Sequence, residues 1–113
     1  AWRIDAGGAS VVFTGDGNGD NGAVQKLAKG VGLLVAHDAV GEDAQGPPRA
    51  LHMPPSQIGR VAAEAGAGAL VLGHRMRREL GHEAETRRAI ATRYSGPLSF
   101  ADDLDCFRVG PTP

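Results

Sequence analysis

The sequence has little of several features that would mark a specialised class of protein. A single cysteine, Cys106, excludes an internal disulfide and fits a reducing, cytoplasmic setting. The net charge of −1 gives no long-range field toward nucleic acid or an anionic membrane. No apolar run reaches the roughly 18–20 residues that span a bilayer, and no signal-peptide pattern is seen. With these classes of protein excluded, we expect one small globular domain.

Glycine is abundant, with 17 in 113 residues. Between the glycine-rich turns, apolar segments typical of strands alternate with segments that have the apolar period of a helix. We predict strands at 2–6, 10–14, 33–36, 69–72, 98–101 and 104–109, helices at 23–29, 55–65 and 83–94, and a loop at 41–55. Gly7-Gly8 predicts a hairpin between the first two strands. The alternation predicts an α/β fold with a mixed β-sheet, as a single domain over residues 1–113 with a tail at 110–113.

Three of the predicted strands are followed by side chains that can bind a metal. Asp16 follows the second strand, His37-Asp38 the third and His74 the fourth. Because parallel strands place their carboxyl ends at one edge of a sheet, we expect these side chains to converge. His52, in the proline-rich loop, could reach over the same edge. Histidine and aspartate are suitable ligands for zinc or a similar divalent ion.

The glycine-rich turn that holds Asp16 permits two other interpretations. Asp16, Asn18 and Asp20 stand at positions 1, 3 and 5 of a calcium loop, but Asn21 replaces the expected glycine and Leu27 the expected glutamate. A solvated turn is therefore favoured over calcium. A phosphate cradle is disfavoured, since neither glycine-rich phosphate motif fits and the acidic side chains would repel the ligand.

The order of these segments resembles the C-terminal half of metallo-β-lactamase-fold hydrolases, with the pattern of the ribonuclease Z-like subgroup. The matching segments are 10–17, 33–39, 52–53, 57–59, 70–74 and 100–105. The resemblance implies half of a four-layered αββα sandwich. It also implies two zinc ions in a complete enzyme, which would hold a hydroxide that attacks a phosphodiester or another ester.

The resemblance also implies a role for each site residue. Asp16 would bridge the two metal ions and His74 would bind one of them. His52 would assist catalysis near the metals, and His37 and Asp38 would orient that network. The sequence departs from the family pattern at four positions close to these site residues: Gly17, Asp38, Pro54 and Gly73.

The family's main ligand motif, H-x-H-x-D-H, is absent from the sequence. We therefore expect this chain alone to be inactive, and its partner to be a missing N-terminal half or a second chain that covers an exposed sheet face. An anionic small molecule or a nucleic acid is the candidate substrate. The alternative hypothesis is a non-catalytic α/β interaction or oligomerisation module.

Other notable residues have simpler interpretations. Arg75, Arg77 and Arg78 could meet an anionic substrate, although a solvated basic face is favoured. Cys106 is predicted to be a small strand residue, and His82 to face solvent.

Overall fold

The computed structural model describes residues 1–110 and contains a five-stranded mixed sheet packed against helices. The strands are β1 (Trp2–Ala6), β2 (Ala9–Phe13), β3 (Leu33–His37), β4 (Ala69–Gly73) and β5 (Leu98–Phe100). The helices are α1 (Ala23–Leu27), α2 (Gly46–Leu51), α3 (Pro55–Ala65) and α4 (Glu83–Ala91), and a 3₁₀ turn spans Arg77–Glu79. The predicted mixed α/β fold is confirmed.

The predicted N-terminal hairpin is present and forms one edge of the sheet. β1 pairs with β2 antiparallel, and the register places Trp2 opposite Phe13. The turn residues Gly7 and Gly8 have φ values of 57° and 80°. Two consecutive positive φ values are the geometry that glycine supplies without steric cost in a tight hairpin.

The other strand pairs are all parallel. The sheet order is β1-β2-β3-β4-β5, and β3, β4 and β5 each pair in parallel with the strand that precedes them in the chain. Helices α1, α3 and α4 lie within the three crossover connections. This topology places the carboxyl ends of β2, β3 and β4 at one edge, as the sequence predicted.

The helices cover one face of the sheet, and the opposite face is exposed at the hairpin. Alternate strand residues such as Leu34 and Leu72 are completely buried with Ile58 and Val61 of α3. On the opposite face, the hairpin residue Trp2 is 77% exposed. On the same face, Leu33 of β3 and Val71 of β4 are 6% and 5% exposed, so the uncovered apolar surface lies at the β1–β2 hairpin. None of its helices is long and apolar enough to cross a membrane.

The prediction of a continuous loop at 41–55 was wrong, because α2 lies inside it. Pro47 and Pro48 occupy the first helical turn, where the missing N–H has no helical acceptor in any case. The dense prolines therefore mark the start of a helix as well as a loop. The other helices begin where predicted, and α1 and α4 end two and three residues earlier.

The predicted final strand at 104–109 was also wrong, since the structure has no strand after β5 among the described residues. The backbone N–H of Asp102 donates to the carboxylate of Asp105, and Leu104 has a φ of 70°. This turn directs the chain away from the sheet. Cys106 is therefore exposed in an irregular segment. The predicted tail at 110–113 lies, apart from Gly110, outside the described residues.

Candidate metal centre

Three side chains that follow β2, β3 and β4 converge at the carboxyl edge of the sheet. One ligand atom from each of Asp16, His37 and His74 lies within 4.8 Å of the other two. His37 Nδ1 is 3.1 Å from Asp16 Oδ1, and the rings of His37 and His74 have centroids 4.4 Å apart. Asp16 and His74 are exposed, whereas His37 is half-buried. The arrangement is an open group of one carboxylate and two imidazoles.

The backbone around these residues departs from regular strand geometry. His74 has a φ of 47°, which is uncommon for a residue other than glycine. Gly15 and Gly17 on either side of Asp16 have φ values of 63° and 149°. The N–H of Gly17 also donates to the carbonyl of Leu51, 2.6 Å away. The glycines thus permit the sharp turn that exposes Asp16 at the end of β2.

The unpredicted helix α2 brings a third histidine to the cluster. His52 caps the carboxyl end of α2, where its N–H donates to the carbonyl of Pro48 at 3.0 Å. The side-chain amide of Asn18 donates to Ala50, which ties the glycine-rich turn to this helix. His52 Nδ1 lies 3.8 Å from Asp16 Oδ1. Its ring centroid is 5.9 Å from that of His74 and 6.1 Å from that of His37.

The environment of His37 favours the neutral imidazole that a metal requires. Burial lowers the pKa of His37 from its ordinary value, and the neighbouring His74 lowers it further. Asp16 raises the pKa of His37, and His52 lowers it. A cluster of histidines disfavours protonation of any one of them, because the positive charges repel. Neutral histidine is the form that binds divalent metal ions.

The buried nitrogen atoms at this cluster fit a metal ion. The Nδ1 atoms of His37 and His52 are inaccessible to solvent and have no partner of hydrogen-bond geometry among residues 1–110. Buried polar atoms are rarely left unsatisfied. A cation held by Asp16, His37 and His74 would have one carboxylate and two imidazoles as ligands, a donor set that zinc sites use.

Asp38 lies outside the cluster, although it directly follows His37. Its side chain is 1% exposed and faces Arg75, with 3.9 Å between Asp38 Oδ2 and Arg75 Nε. Neither carboxylate oxygen has a hydrogen bond among the described residues. Burial raises the pKa of Asp38 to about 6, and the nearby Glu79 adds to the effect. The structure therefore brings Asp16, His37, His52 and His74 together, but not Asp38.

The arginines after His74 do not form one solvated basic face. Arg75 is 11% exposed, donates to Asp102 at 3.0 Å and to Glu83, and stacks over Phe100. Arg78 donates to the carbonyl of Ala39 at 2.6 Å. Sequence reasoning missed this anchoring role of Arg75, because its acidic partners come from distant segments. The solvent-facing position predicted for His82 agrees with its 52% side-chain exposure.

The oxygen atoms proposed for a calcium loop make other contacts. Asp20 Oδ1 accepts from Arg49 at 3.2 Å, and Asn18 Oδ1 accepts the backbone N–H of Asp20 at 3.0 Å. Among the described residues, Asp16, His37 and His74 form the only group of three such side chains placed closely enough to hold a metal ion. The geometry thus favours the site at the strand ends over a calcium loop.

Comparison with known proteins finds similarity to ribonuclease Z. No family model matches the sequence. Ribonuclease Z of Mycobacterium avium is 36% identical over 112 residues, which cover 91% of this chain and 39% of the relative. Ribonuclease Z of Mycolicibacterium gilvum is 34% identical over 119 residues, which cover 97% of this chain and 41% of the relative. The chain spans about two fifths of the length of the curated relatives it matches.

A solved structure extends the comparison to the fold. The metallo-beta-lactamase fold protein YhfI from Bacillus subtilis superposes with a TM-score of 0.76 and 31% sequence identity, over 88% of this chain and 40% of that protein. The chain carries part of a metallo-β-lactamase fold. The resemblance to ribonuclease Z inferred from the sequence is thereby confirmed, and the extent of each match agrees with a partial domain.

Proposed function

We propose that this chain supplies the C-terminal half of a metal-dependent hydrolase that acts on a phosphodiester or another ester. The observation that carries the proposal is the convergence of Asp16, His37 and His74 within 4.8 Å at the ends of three parallel strands. Similarity to ribonuclease Z supports the class of reaction. A cytoplasmic setting and an anionic substrate, either a small molecule or a nucleic acid, belong to the same proposal.

In this proposal His37 joins Asp16 and His74 as a ligand, in addition to its suggested role of orienting the site. Three protein ligands leave positions open, since zinc is commonly bound by about four donors. The remaining ligands, and a second zinc ion, would come from the rest of the domain or from a second chain. Bound zinc would lower the pKa of water and neutralise the charge that develops on the substrate.

The residues of this chain would have distinct tasks in such a site. The Asp16 carboxylate would supply oxygen to a bound metal ion. His37, half-buried and biased toward the neutral form, supplies a nitrogen without bringing positive charge. His52, with 12% side-chain exposure and 3.8 Å from Asp16, would donate a hydrogen bond or a proton to the leaving group. Asp38, buried behind the site, would support the turn that carries His74.

Metal titration of the 113-residue chain and its variants tests the proposal. We expect zinc to bind with one ion per chain by calorimetry, and cobalt(II) to give an absorption spectrum that reports histidine coordination. Asp16→Ala and His74→Ala should each weaken binding at least about tenfold, because each removes one of three ligands. The matched control is His82→Ala, which removes an exposed histidine outside the cluster.

Two results would contradict this proposal. One is zinc affinity that stays within twofold of the parent chain in both Asp16→Ala and His74→Ala. The other is metal binding that is lost equally in the His82→Ala control. The alternative of a non-catalytic interaction module would then be favoured.

A further inference from the structure

A second concave site lies beside the segment that follows β3, and none of the four residues of the histidine cluster lines it. This acidic cavity has a volume of about 650 Å³ and is lined by the segment after β3, the starts of α3 and α4, and the 3₁₀ turn. Four carboxylates line it: Glu42, Asp43, Glu79 and Glu85. Its volume falls within the range of small-molecule sites, roughly 300–1,000 Å³.

One of these carboxylates, Glu79, is buried without a partner. The residue is 6% exposed, and its carboxylate makes no hydrogen bond or ion pair with another side chain among residues 1–110. A Cβ atom at Gly41 would lie 3.5 Å from Glu79 Oε1 and 3.8 Å from Oε2. Because glycine has no side chain there, both oxygens stay open to the acidic cavity. An unpaired buried carboxylate is costly unless a cation or donor compensates it.

Two basic side chains, Arg78 and His82, also line the cavity. Arg78 donates through Nε to the carbonyl of Ala39 at 2.6 Å. His82 Nδ1 lies 3.5 Å from Glu85. Both reduce the effect of burial on Glu79, but burial prevails and raises the pKa of Glu79 from its ordinary value, with Asp43 and Glu85 adding to it. The four carboxylates therefore outnumber the two basic side chains that line the cavity.

The four carboxylates are not equally available to a ligand. Glu42 already accepts the backbone N–H of Ser56 at 2.9 Å and the Ser56 hydroxyl. Glu85 faces His82. Asp43 is exposed and has no hydrogen bond or ion pair with any described residue, and its Oδ1 would lie 3.1 Å from a Cβ at Gly41. Glu79 and Asp43 thus stand on the two sides of Gly41 as free acceptors.

The shape and walls of the cavity indicate the kind of cation. Among the described residues, the carboxylates here do not form a group compact enough for a metal ion. Apolar side chains, including Val40, Pro48 and Ala89, form part of the wall. We propose that the acidic cavity binds an organic cation, an alkylammonium or alkylguanidinium group whose N–H donors reach Glu79 and Asp43 while its carbon chain contacts the apolar wall.

Calorimetry of the metal-free 113-residue chain with agmatine, which carries both cationic groups, tests the proposal. We expect saturable binding with one agmatine per chain and no measurable binding of the neutral analogue N-butylurea. Glu79→Gln, which keeps the shape and removes the charge, should weaken agmatine binding at least tenfold. The matched control is Glu64→Gln on the exposed face of α3, which removes a charge outside the cavity and should leave binding unchanged.

A second variant keeps the test decisive if Glu79→Gln alters folding. Gly41→Ala places a methyl group between Asp43 and Glu79, and should weaken agmatine binding while the circular dichroism spectrum stays unchanged. The binding of a tripeptide with blocked termini and a central arginine is measured in the same way. Tighter binding of the peptide would identify a protein side chain as the source of the cation, and tighter binding of agmatine a free amine.

Three outcomes would overturn the proposal. The first is agmatine affinity within twofold of the parent in Glu79→Gln or Gly41→Ala. The second is equal binding of N-butylurea, which would show that charge plays no part. The third is displacement of agmatine by magnesium chloride beyond that by sodium chloride of the same ionic strength, which would indicate a metal site. Zinc titration reports separately on the metal centre.

Discussion

Asp38 and His37 are neighbours in sequence but face different environments. Side chains alternate across a strand, so His37 reaches the open edge while Asp38 points into the protein beside Arg75. There its carboxylate is 1% exposed, and its pKa is raised to about 6 by burial and by Glu79. The Arg75 guanidinium lowers this pKa but does not offset burial. The ionised form of Asp38 is therefore a destabilising element of the folded chain.

This placement predicts a pH-dependent stability. The pKa of Asp38 lies above its ordinary value of 3.8, so the folded chain retains a proton that the unfolded chain has released between those two values. The contribution of protonated Asp38 to the free energy of unfolding is complete below about pH 4 and is lost as pH rises through about 6. A shift of this size corresponds to about 3 kcal/mol at most. Asp38→Asn should reduce this fall, as measured by urea unfolding with a chelator at pH 4 to 8.

The control for this measurement is Asp103→Asn, which neutralises an exposed carboxylate in the loop after β5. Its pH profile should match that of the parent chain. The same fall in stability for Asp38→Asn and for the parent would show that another group is responsible.

At the residue scale, the sequence predicted the cluster better than its surroundings. Asp16, His37 and His74 each follow a buried apolar run, and parallel topology alone brings such positions together. The side of the strand on which Asp38 lies follows from the period of two, so that signal was present in the sequence. The partners of Arg75 had no such signal, because Glu83 and Asp102 reach it through tertiary packing.

At the element scale, α3 and α4 are held at a close crossing by a glycine. A Cβ atom at Gly59 would lie 2.7 Å from the carbonyl oxygen of Ile90 and 3.1 Å from its Cα. These are backbone atoms, which cannot move aside as the end of a flexible side chain would. Gly59 is completely surrounded within the helical layer. The small residue thus sets the distance between the two helices that cover the sheet.

We expect Gly59→Ala to destabilise the chain by about 1–3 kcal/mol through overpacking. Alanine favours a helix over glycine by about 1 kcal/mol, so a net loss would show that packing outweighs helix propensity. Urea unfolding gives the free energy. Gly110→Ala is the control, since no atom lies within 4 Å of the added Cβ there. A more stable Gly59→Ala chain would contradict this account of the crossing.

The two elements that the sequence mispredicted share a physical cause. Helix α2 has two prolines in its first turn, and local composition therefore indicated a loop. Its stability depends on contacts made elsewhere, such as the Gly17 N–H that donates to Leu51. The segment 104–109 has the alternation of a strand but no neighbouring strand to pair with in the described chain. Periodicity reports what a segment could form, and tertiary contacts decide the result.

At the scale of the whole molecule, the exposed apolar face of the β1–β2 hairpin is a departure from a closed domain. The register aligns Trp2 with Phe13 and Ile4 with Val11 on this face. Trp2 is 77% exposed, Ile4 53% and Phe13 44%. The chain also spans about two fifths of its ribonuclease Z relatives. We propose that the remaining part of a metallo-β-lactamase fold covers this face and completes the metal site at the same time.

Without that cover, the 113-residue chain should associate with itself through the sheet face, because contiguous exposed apolar surface favours association. The double change Trp2→Ser with Phe13→Ser should weaken self-association at least tenfold by sedimentation equilibrium and reduce the binding of a hydrophobic dye. Leu104→Ser is the control, since Leu104 is 99% exposed but lies beyond β5 in the irregular segment. Equal weakening in the control, or unchanged association in the double variant, would show that this sheet face does not drive association.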